Sequence, residues 1–424
     1  MSRGYHLIGA IVSTAWLAVV ALFILPWIRD KSTSVTADFV LILLWVFGAL
    51  TAGWFQVSLA IKVGAEKESV FSTETIVRSL LVVIAIMANL FWSNYAAGDF
   101  WFSHYGKVGV YSTALRSSSP ETKRWAIKKV AEMVSSTLLI MLPKVGTLID
   151  DEDTEVRADA VACVGHVAFK MRIALRESAG GLAGFEQEAL RLAKEILKDT
   201  KARLENSKGK EKIAWLYAMG CIADDYAIGV LSKVLKEATD GSEEQTAVLG
   251  ALIDLAEPRA GVILARAAKN TKGFNQMLAT YGAATMMAGM VERFSTAVSS
   301  NPDYLAMREA MLDAFPSLEI NSLCAFLRSF RLIGDADFTD VLVQRGTEEA
   351  LASKCERAER KRWFGAPDSI VPEAKFWVLY LDAVSAIAVG NKKVVDHLKK
   401  LAMSDGLPQE VRQQASSLLR ELGQ

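Results

Sequence analysis

Three long apolar segments within the first hundred residues constrain this chain more than any other feature. They cover residues 7–27, 39–61 and 76–97, and no charged residue lies near the middle of any of them. A helix needs about 20 apolar residues to cross the roughly 30 Å hydrocarbon core of a bilayer. Each segment therefore has the length and composition of a transmembrane helix. We predict an integral membrane protein with its membrane domain at residues 1–98.

The overall composition separates this domain from the remainder of the chain. The mean hydropathy of +0.23 is high for a chain with 23% charged residues, and the apolar excess lies in the first hundred residues. The chain has 48 basic and 48 acidic residues, so its formal net charge is zero. A broad nucleic-acid surface needs a basic excess, and we expect no nucleic-acid partner. Only 9 prolines are present, which favours long helices and an all-α fold.

Small residues lie four positions apart in the second apolar segment. Gly48 pairs with Ala52 in this way, and Ala49 pairs with Gly53. This spacing lets two helix backbones approach closely in lipid. The face that these residues form packs either on a helix of a partner protein or on the chain's own neighbouring segments.

Aromatic residues concentrate around the end of the third segment and in residues 99–119, which we assign to an interfacial junction. Rings with a polar edge are favoured at the membrane–water interface. The residues predicted to lie at this interface are Trp92, Tyr95, Trp101, Phe102 and Tyr105. An alternative is that the junction contacts a lipid or quinone headgroup, with His104 in the site. The four histidines of the chain show no ligand spacing, so we expect no haem, no metal and no other cofactor.

A repeating helical pattern follows the junction and is clearest at residues 148–168, LIDDEDTEVRADAVACVGHVA. An acidic turn there separates the end of one apolar helix from the start of the next. Asp153 or Thr154 can cap the second helix, and its apolar residues recur at helical spacing from Val156 onward. Such a helix pair cannot bury both of its faces alone. It needs neighbours of the same kind, which is the physical basis of an α-solenoid.

This stretch resembles a HEAT-type repeat of the short bacterial kind, which is found in relatives of bilin lyases. Val156, Arg157, Ala160 and Gly165 stand where those repeats have Val-Arg, a small residue and glycine. The resemblance implies a HEAT-like helical repeat domain over residues 120–424. It also implies structural roles for the repeat residues, since the arginine can reach an aspartate or a turn carbonyl of the neighbouring repeat. What it implies about function is a protein-binding scaffold without chemistry.

Further helices of this domain follow from apolar periodicity. Residues 120–133 form an amphipathic helix with Trp125, Ile127, Val130 and Met133 directed inward. Residues 185–204 form another helix. No part of the domain has the alternating pattern of a strand, so we predict no strands in it.

A basic cluster and an aromatic loop interrupt the helical pattern near the C-terminus. The sequence RAERKR, residues 357–362, is followed by WFGAPDSIVPE. Loops carry binding function more often than packed helices do. The residues predicted to bind a partner protein there are Arg360, Lys361, Arg362, Trp363 and Phe364. The alternative interpretation is an ordinary loop between two repeats.

The cysteines bear on the cellular compartment. Cys163, Cys221, Cys324 and Cys355 are far apart and include no CxxC pair, so we interpret them as small buried residues without a disulfide. Unpaired cysteines favour a reducing compartment. The basic residues flanking the three segments are evenly divided, so the positive-inside rule does not decide the topology. We therefore expect a bacterial inner-membrane protein with a cytoplasmic C-terminal domain.

Catalytic motifs are absent from the sequence. It contains no GxxxxGK[ST], HExxH or GxSxG. The favoured function is a membrane-anchored, non-catalytic α-solenoid that docks a protein partner, most simply a membrane complex. One alternative is an accessory subunit of a membrane redox or transport complex, with the aromatic junction touching lipid or quinone. Another is an enzyme on a helical scaffold, as in repeat families related to bilin lyases.

Overall fold

A computed structural model describes residues 107–177 and 184–423 of the chain. The predicted membrane domain and its Gly48, Ala49, Ala52 and Gly53 face lie outside the described residues, as do the predicted interface residues and His104. Within the described residues, no helix is both long and apolar enough to span a bilayer. The described residues divide into two compact units, residues 107–144 with 184–189, and residues 145–177 with 190–423.

The described part of the chain is all-α apart from four short strands. The helices are α1 (Lys107–Leu115), α2 (Pro120–Ala131), α3 (Leu138–Gly146), α4 (Thr154–Glu177), α5 (Gly184–Ile196), α6 (Thr200–Asn206), α7 (Gly209–Ile222), α8 (Ala227–Glu237), α9 (Glu243–Leu255), α10 (Pro258–Asn270), α11 (Gly273–Phe294), α12 (Pro302–Ala314), α13 (Ile320–Ile333), α14 (Thr339–Arg345), α15 (Glu348–Ala352), α16 (Phe376–Ala386), α17 (Lys392–Met403) and α18 (Gln409–Glu421). The strands are β1 (Lys354–Cys355), β2 (Ala358–Arg360), β3 (Asp368–Val371) and β4 (Ala374–Lys375).

The first unit contains α1, α2 and most of α3. Ser119 caps α2 by accepting a hydrogen bond from the amide of Thr122 at 3.2 Å. Ile127 and Val130 are buried, as the apolar pattern predicts. The inward placement predicted for Trp125 is wrong, because 45% of it is exposed and its ring packs edge-on against Tyr111 with centroids 5.4 Å apart.

Helices of the second unit pack in tandem. Helices α4, α7, α9, α11, α13 and α16 form one row in which each packs on the next, and we call this row the main row. Helix α8 packs on α9 and α10, and α10 packs on α11 and α12. An all-α fold with helices stacked in this way is compatible with a helical repeat solenoid.

Two glycines explain how the main row packs so closely. A Cβ atom at Gly165 on α4 would lie 2.8 Å from the Cα of Ala218 on α7. A Cβ atom at Gly220 on α7 would lie 2.5 Å from the carbonyl oxygen of Ala251 on α9. Neither position has room for a larger residue unless the two helices move apart.

The acidic turn before α4 has the capping role predicted for it. Asp153 caps the helix by accepting a hydrogen bond from the amide of Val156 at 2.9 Å. Arg157 donates to the carbonyl of Asp151 at 2.8 Å and to Glu211 on α7 at 3.0 Å. The prediction for aspartate is confirmed, with Asp153 rather than Thr154 as the cap. Arg157 differs from its prediction, because it bonds to a carbonyl of its own turn and to a glutamate of the next helix rather than to an aspartate or turn carbonyl of the neighbouring repeat. Arg157 thereby joins two successive helices of the main row.

Two predicted elements are wrong. Residues 185–204 are not one helix, because the chain leaves α5 after Ile196 and begins α6 at Thr200. Thr200 is fully buried and its hydroxyl donates to the carbonyl of Leu197, a local bond that competes with helical pairing. The domain also contains strands: β1 pairs with β4 and β2 with β3, both antiparallel, with an irregularity between Ala358 and Glu359. We call residues 354–375 the hairpin and residues 361–367 its tip.

The interpretation of the cysteines is wrong for one pair. Cys324 on α13 and Cys355 on β1 form a disulfide, although 31 positions separate them in sequence. Cys163 and Cys221 are buried and are not disulfide-bonded. The sequence does not reveal the pair, because Cys324 and Cys355 come together only when the hairpin folds onto α13.

Candidate functional site

The hairpin lies along several helices of the main row that are far from the hairpin in the sequence. Arg328 on α13 donates to the carbonyl of Ser369 at 3.2 Å. Farther along the row, Arg360 reaches α9, and Trp363 at the tip reaches Asp159 on α4, which precedes it by 204 positions. The hairpin therefore holds α4, α9 and α13 together through side chains that the linear sequence keeps apart.

A cluster of two arginines and two aspartates fixes the middle of the hairpin. Arg360 donates to the carbonyl of Gly250 at 2.9 Å, to Asp254 at 2.8 Å and to Asp368 at 2.9 Å. Arg362 donates to Asp368 at 2.8 Å, and its guanidinium lies 3.4 Å from Asp254. The side chains of Arg360 and Asp254 are only 8% and 2% exposed. The four charges balance, which is what burial of this kind requires.

Protonation in the cluster follows from these contacts. Burial alone would raise the pKa of Asp368, but hydrogen bonds from Arg362 and Arg360 outweigh it and lower that pKa. Burial alone would lower the pKa of Arg360, but Asp254 and Asp368 outweigh it and raise that pKa. Asp368 is therefore ionised and Arg360 charged at neutral pH. Charge complementarity holds the hairpin in place.

The tip of the hairpin meets α4 through rings. The indole N–H of Trp363 donates to Asp159 at 2.9 Å. The Phe364 ring lies 5.8 Å from the ring of His166, centroid to centroid. The guanidinium of Arg362 lies 4.3 Å from the centroid of Phe169, a cation–π distance. These contacts leave the tip seated on α4.

His166 is neutral where the tip covers it. Burial, together with the positive charges of Lys170 and Arg362, lowers the pKa of His166 to about 4. Its Nδ1 lies 3.1 Å from the hydroxyl of Tyr217 on α7. Burial also raises the pKa of Tyr217. The pair is an uncharged hydrogen-bonded contact between α4 and α7.

A half-open groove of about 210 Å³ lies between the hairpin and helices α7 and α9. Helix α7 lines it with Ile213 and Tyr217, and α9 lines it with Ala247. The hairpin closes the other side with Trp363 and with Lys361, which is exposed. The groove therefore combines an apolar wall and an aromatic ring with two exposed side chains of opposite charge, Lys361 and Glu243.

The structure brings the five predicted partner-binding residues together but gives them different surroundings. Arg360 is buried, and Arg362, Trp363 and Phe364 are partly buried against the main row. Lys361 is exposed, and it lines the groove with Arg360, Arg362 and Trp363. Sequence reasoning missed the residues that hold the hairpin, Asp159 and Asp254. Their signal is an acidic residue within an apolar helical stretch, ADAVAC and LIDLAE, where a buried carboxylate needs a cationic or N–H partner.

Metal binding is not indicated in residues 107–177 and 184–423, where no group of three or more His, Cys, Asp and Glu side chains could hold an ion. The alternative site for a lipid or quinone headgroup is separate from the groove. It depends on Trp101 and His104, which precede the described residues.

Comparison with known proteins finds no relative by sequence. No protein-family profile matches the chain, and no curated protein matches it. Among solved structures, the chain is similar to an engineered protein from the Northeast Structural Genomics Consortium at 15% identity, over 75% of this chain and 99% of that one. The TM-score of that match is 0.26, a value too low to define a shared fold. The structure itself defines the class: an all-α protein whose helices pack in tandem and carry a long hairpin along the main row.

Proposed function

We propose that this protein is a membrane-anchored, non-catalytic scaffold with a HEAT-like helical domain, and that it docks a protein partner in the hairpin groove. The observation that carries this proposal is the groove itself, in which the partner-binding loop predicted from the sequence meets helices α7 and α9. The membrane anchor is the set of three apolar segments at residues 7–27, 39–61 and 76–97.

The chemistry of the groove suits one or two side chains of a partner segment. Ile213 and Ala247 supply apolar contact, and Trp363 supplies a large ring that its bond to Asp159 already orients. Tryptophan and tyrosine are among the residue types that contribute most to protein interfaces, and an oriented ring loses little entropy on binding. Lys361 favours a carboxylate beside the inserted side chain, and the exposed Glu243 favours a basic group. The expected ligand is an apolar residue flanked by an acidic and a basic one.

The direct test is recovery of a partner from native membranes in mild detergent. The full chain with a C-terminal tag is compared with Ala247→Arg, which places a long charged side chain in the groove, and with Lys361→Glu. Val389→Lys is the matched control, because Val389 is 85% exposed and does not line the groove. We expect a stoichiometric partner with the unchanged chain and the control, and a loss of at least about tenfold with Ala247→Arg, which corresponds to about 1.4 kcal/mol.

Two results would contradict the proposal. Equal recovery of the partner by all four chains would remove the groove from the interface. Recovery of no partner by the unchanged chain would remove the scaffold function. Thermal unfolding of each purified variant separates loss of binding from loss of folding.

A further inference from the structure

The disulfide between Cys324 and Cys355 is built into the interior of the helical domain. Cys324 is 1% exposed and Cys355 is 0% exposed. A thiol reductant must reach one of the two sulfur atoms to exchange with it. In the folded protein neither residue is accessible. The bond therefore has the character of a structural disulfide rather than of an exchangeable one.

The position of the bond gives it a structural task. It joins the first strand of the hairpin to α13, beside a hydrogen bond of 3.0 Å from the amide of Glu356 to the side chain of Asn321. The hairpin is thus attached at its base by a covalent bond, in its middle by Arg360, and at its tip by Trp363. The groove has a fixed wall because all three attachments exist together.

We infer that the helical domain lies on the oxidising side of the membrane, and that its partner is met there. Structural disulfides form and persist in oxidising compartments and are rare in the reducing cytosol. Forming this bond removes two protons and two electrons from the thiols of Cys324 and Cys355. The disulfide of a protein thiol oxidoreductase accepts them and becomes a dithiol. The inference uses the proposed function only where it concerns the partner.

This inference reverses the compartment expected from the sequence. That expectation relied on four unpaired cysteines, and two of the four are bonded. The basic residues around the predicted spans do not oppose the reversal, because they are evenly divided between the two sides. Three predicted spans then leave the N-terminus on the reducing side.

The first test counts reactive thiols in the full chain. Membranes are quenched with acid at harvest, denatured, and treated with a polyethylene-glycol maleimide before or after reduction. We expect two reactive thiols before reduction, from Cys163 and Cys221, and four after it. Cys163→Ser lowers both counts by one, and Cys324→Ser gives three thiols in both conditions. Four reactive thiols in the unreduced wild-type chain would overturn the inference.

The second test locates the domain. Val389→Cys adds a thiol at an exposed turn, and a membrane-impermeant maleimide is applied to sealed vesicles of either orientation. We expect labelling of Val389→Cys from the oxidising face only. We expect no labelling of the unchanged chain, because the two cysteines outside the disulfide are buried. Labelling from the reducing face would overturn the inference. Neither test depends on a partner, so failure of the proposed docking function gives a different result from failure of this inference.

Discussion

Arg360 at the end of β2 and Asp254 in α9 form an ion pair of 2.8 Å across 106 positions of sequence, with both side chains almost completely buried. This pair attaches the hairpin to the main row and so gives the groove its wall. The physical question is whether the pair holds the hairpin or merely accompanies it.

Removing one member of the pair is expected to be severe. Asp254→Ala leaves the Arg360 charge buried with only Asp368 beside it, and loss of one partner of a buried pair costs about 3–5 kcal/mol of unfolding free energy. The matched control is Asp340→Ala, whose pair with Lys393 is exposed, with side chains 74% and 70% accessible. We expect the control to change stability by less than about 1 kcal/mol. Chemical unfolding of the purified chains in mild detergent measures both, and equal effects would show that the buried pair holds nothing.

Close packing in the main row predicts that replacing two different glycines by alanine changes stability in opposite directions. Gly220→Ala places a methyl group 2.5 Å from the carbonyl oxygen of Ala251, so we expect a loss of about 1–3 kcal/mol. Gly229→Ala lies in α8, where nothing stands within 4 Å of the added methyl group. There we expect a gain of up to about 1 kcal/mol, because alanine favours the helix. If thermal unfolding showed that both substitutions stabilise the protein, the close approach of α7 and α9 at Gly220 would be contradicted.

The hydrogen bond from Trp363 to Asp159 should contribute to the stability of the folded protein separately from the packing of the tip. Trp363→Phe keeps a ring at the tip but removes the donor to Asp159. A hydrogen bond to a charged group contributes about 1.5–3 kcal/mol, so we expect a loss at the lower end of that range because Trp363 is partly exposed. Phe364→Leu, which removes a ring contact and no donor, is the comparison variant. If the two substitutions cost the same, the bond to Asp159 contributes nothing beyond packing.

Acid should weaken the packing of the hairpin tip against α4, because His166 becomes protonated. Its pKa is about 4 in the folded protein and near 6.5 when the chain is unfolded, so the unfolded state binds more protons between those values. The stabilising contribution of the neutral ring is complete above pH 6.5 and is lost as the pH falls toward 4, by about 2–3 kcal/mol. Burial also lowers the pKa of His397, which adds a pH dependence of the same sign. The difference between the unchanged chain and His166→Gln isolates the first contribution, and identical pH profiles would contradict it.

Much of the helical architecture could be predicted from the sequence, because local apolar spacing specifies most helices and a side-chain cap marks the start of some, as Asp153 does for α4. The α4 helix and the Asp153 cap are examples, since both depend on residues near each other in the sequence. The hairpin could not be predicted in the same way. Its strands are two to four residues long, and its partners on α4, α9 and α13 lie 31 to 204 positions away.

The candidate site shows the same limit at single residues. Arg360 has the same local sequence signal as Lys361, since both belong to one basic cluster. Tertiary structure alone separates them, because Arg360 turns toward Asp254 while Lys361 remains exposed at the rim. The disulfide was missed for the same reason, since the two cysteines meet only after the hairpin has folded onto α13.

Site-specific photo-crosslinking tests the central claim most directly. A benzoylphenylalanine residue replaces Lys361 at the rim of the groove or Val389 at an exposed turn outside it, in the full chain in native membranes. If the groove docks a partner, light will produce a defined crosslinked species from position 361 and none from position 389, and Ala247→Arg in the same chain will abolish it. Crosslinking from position 389 alone, or from neither position, would contradict docking in the hairpin groove.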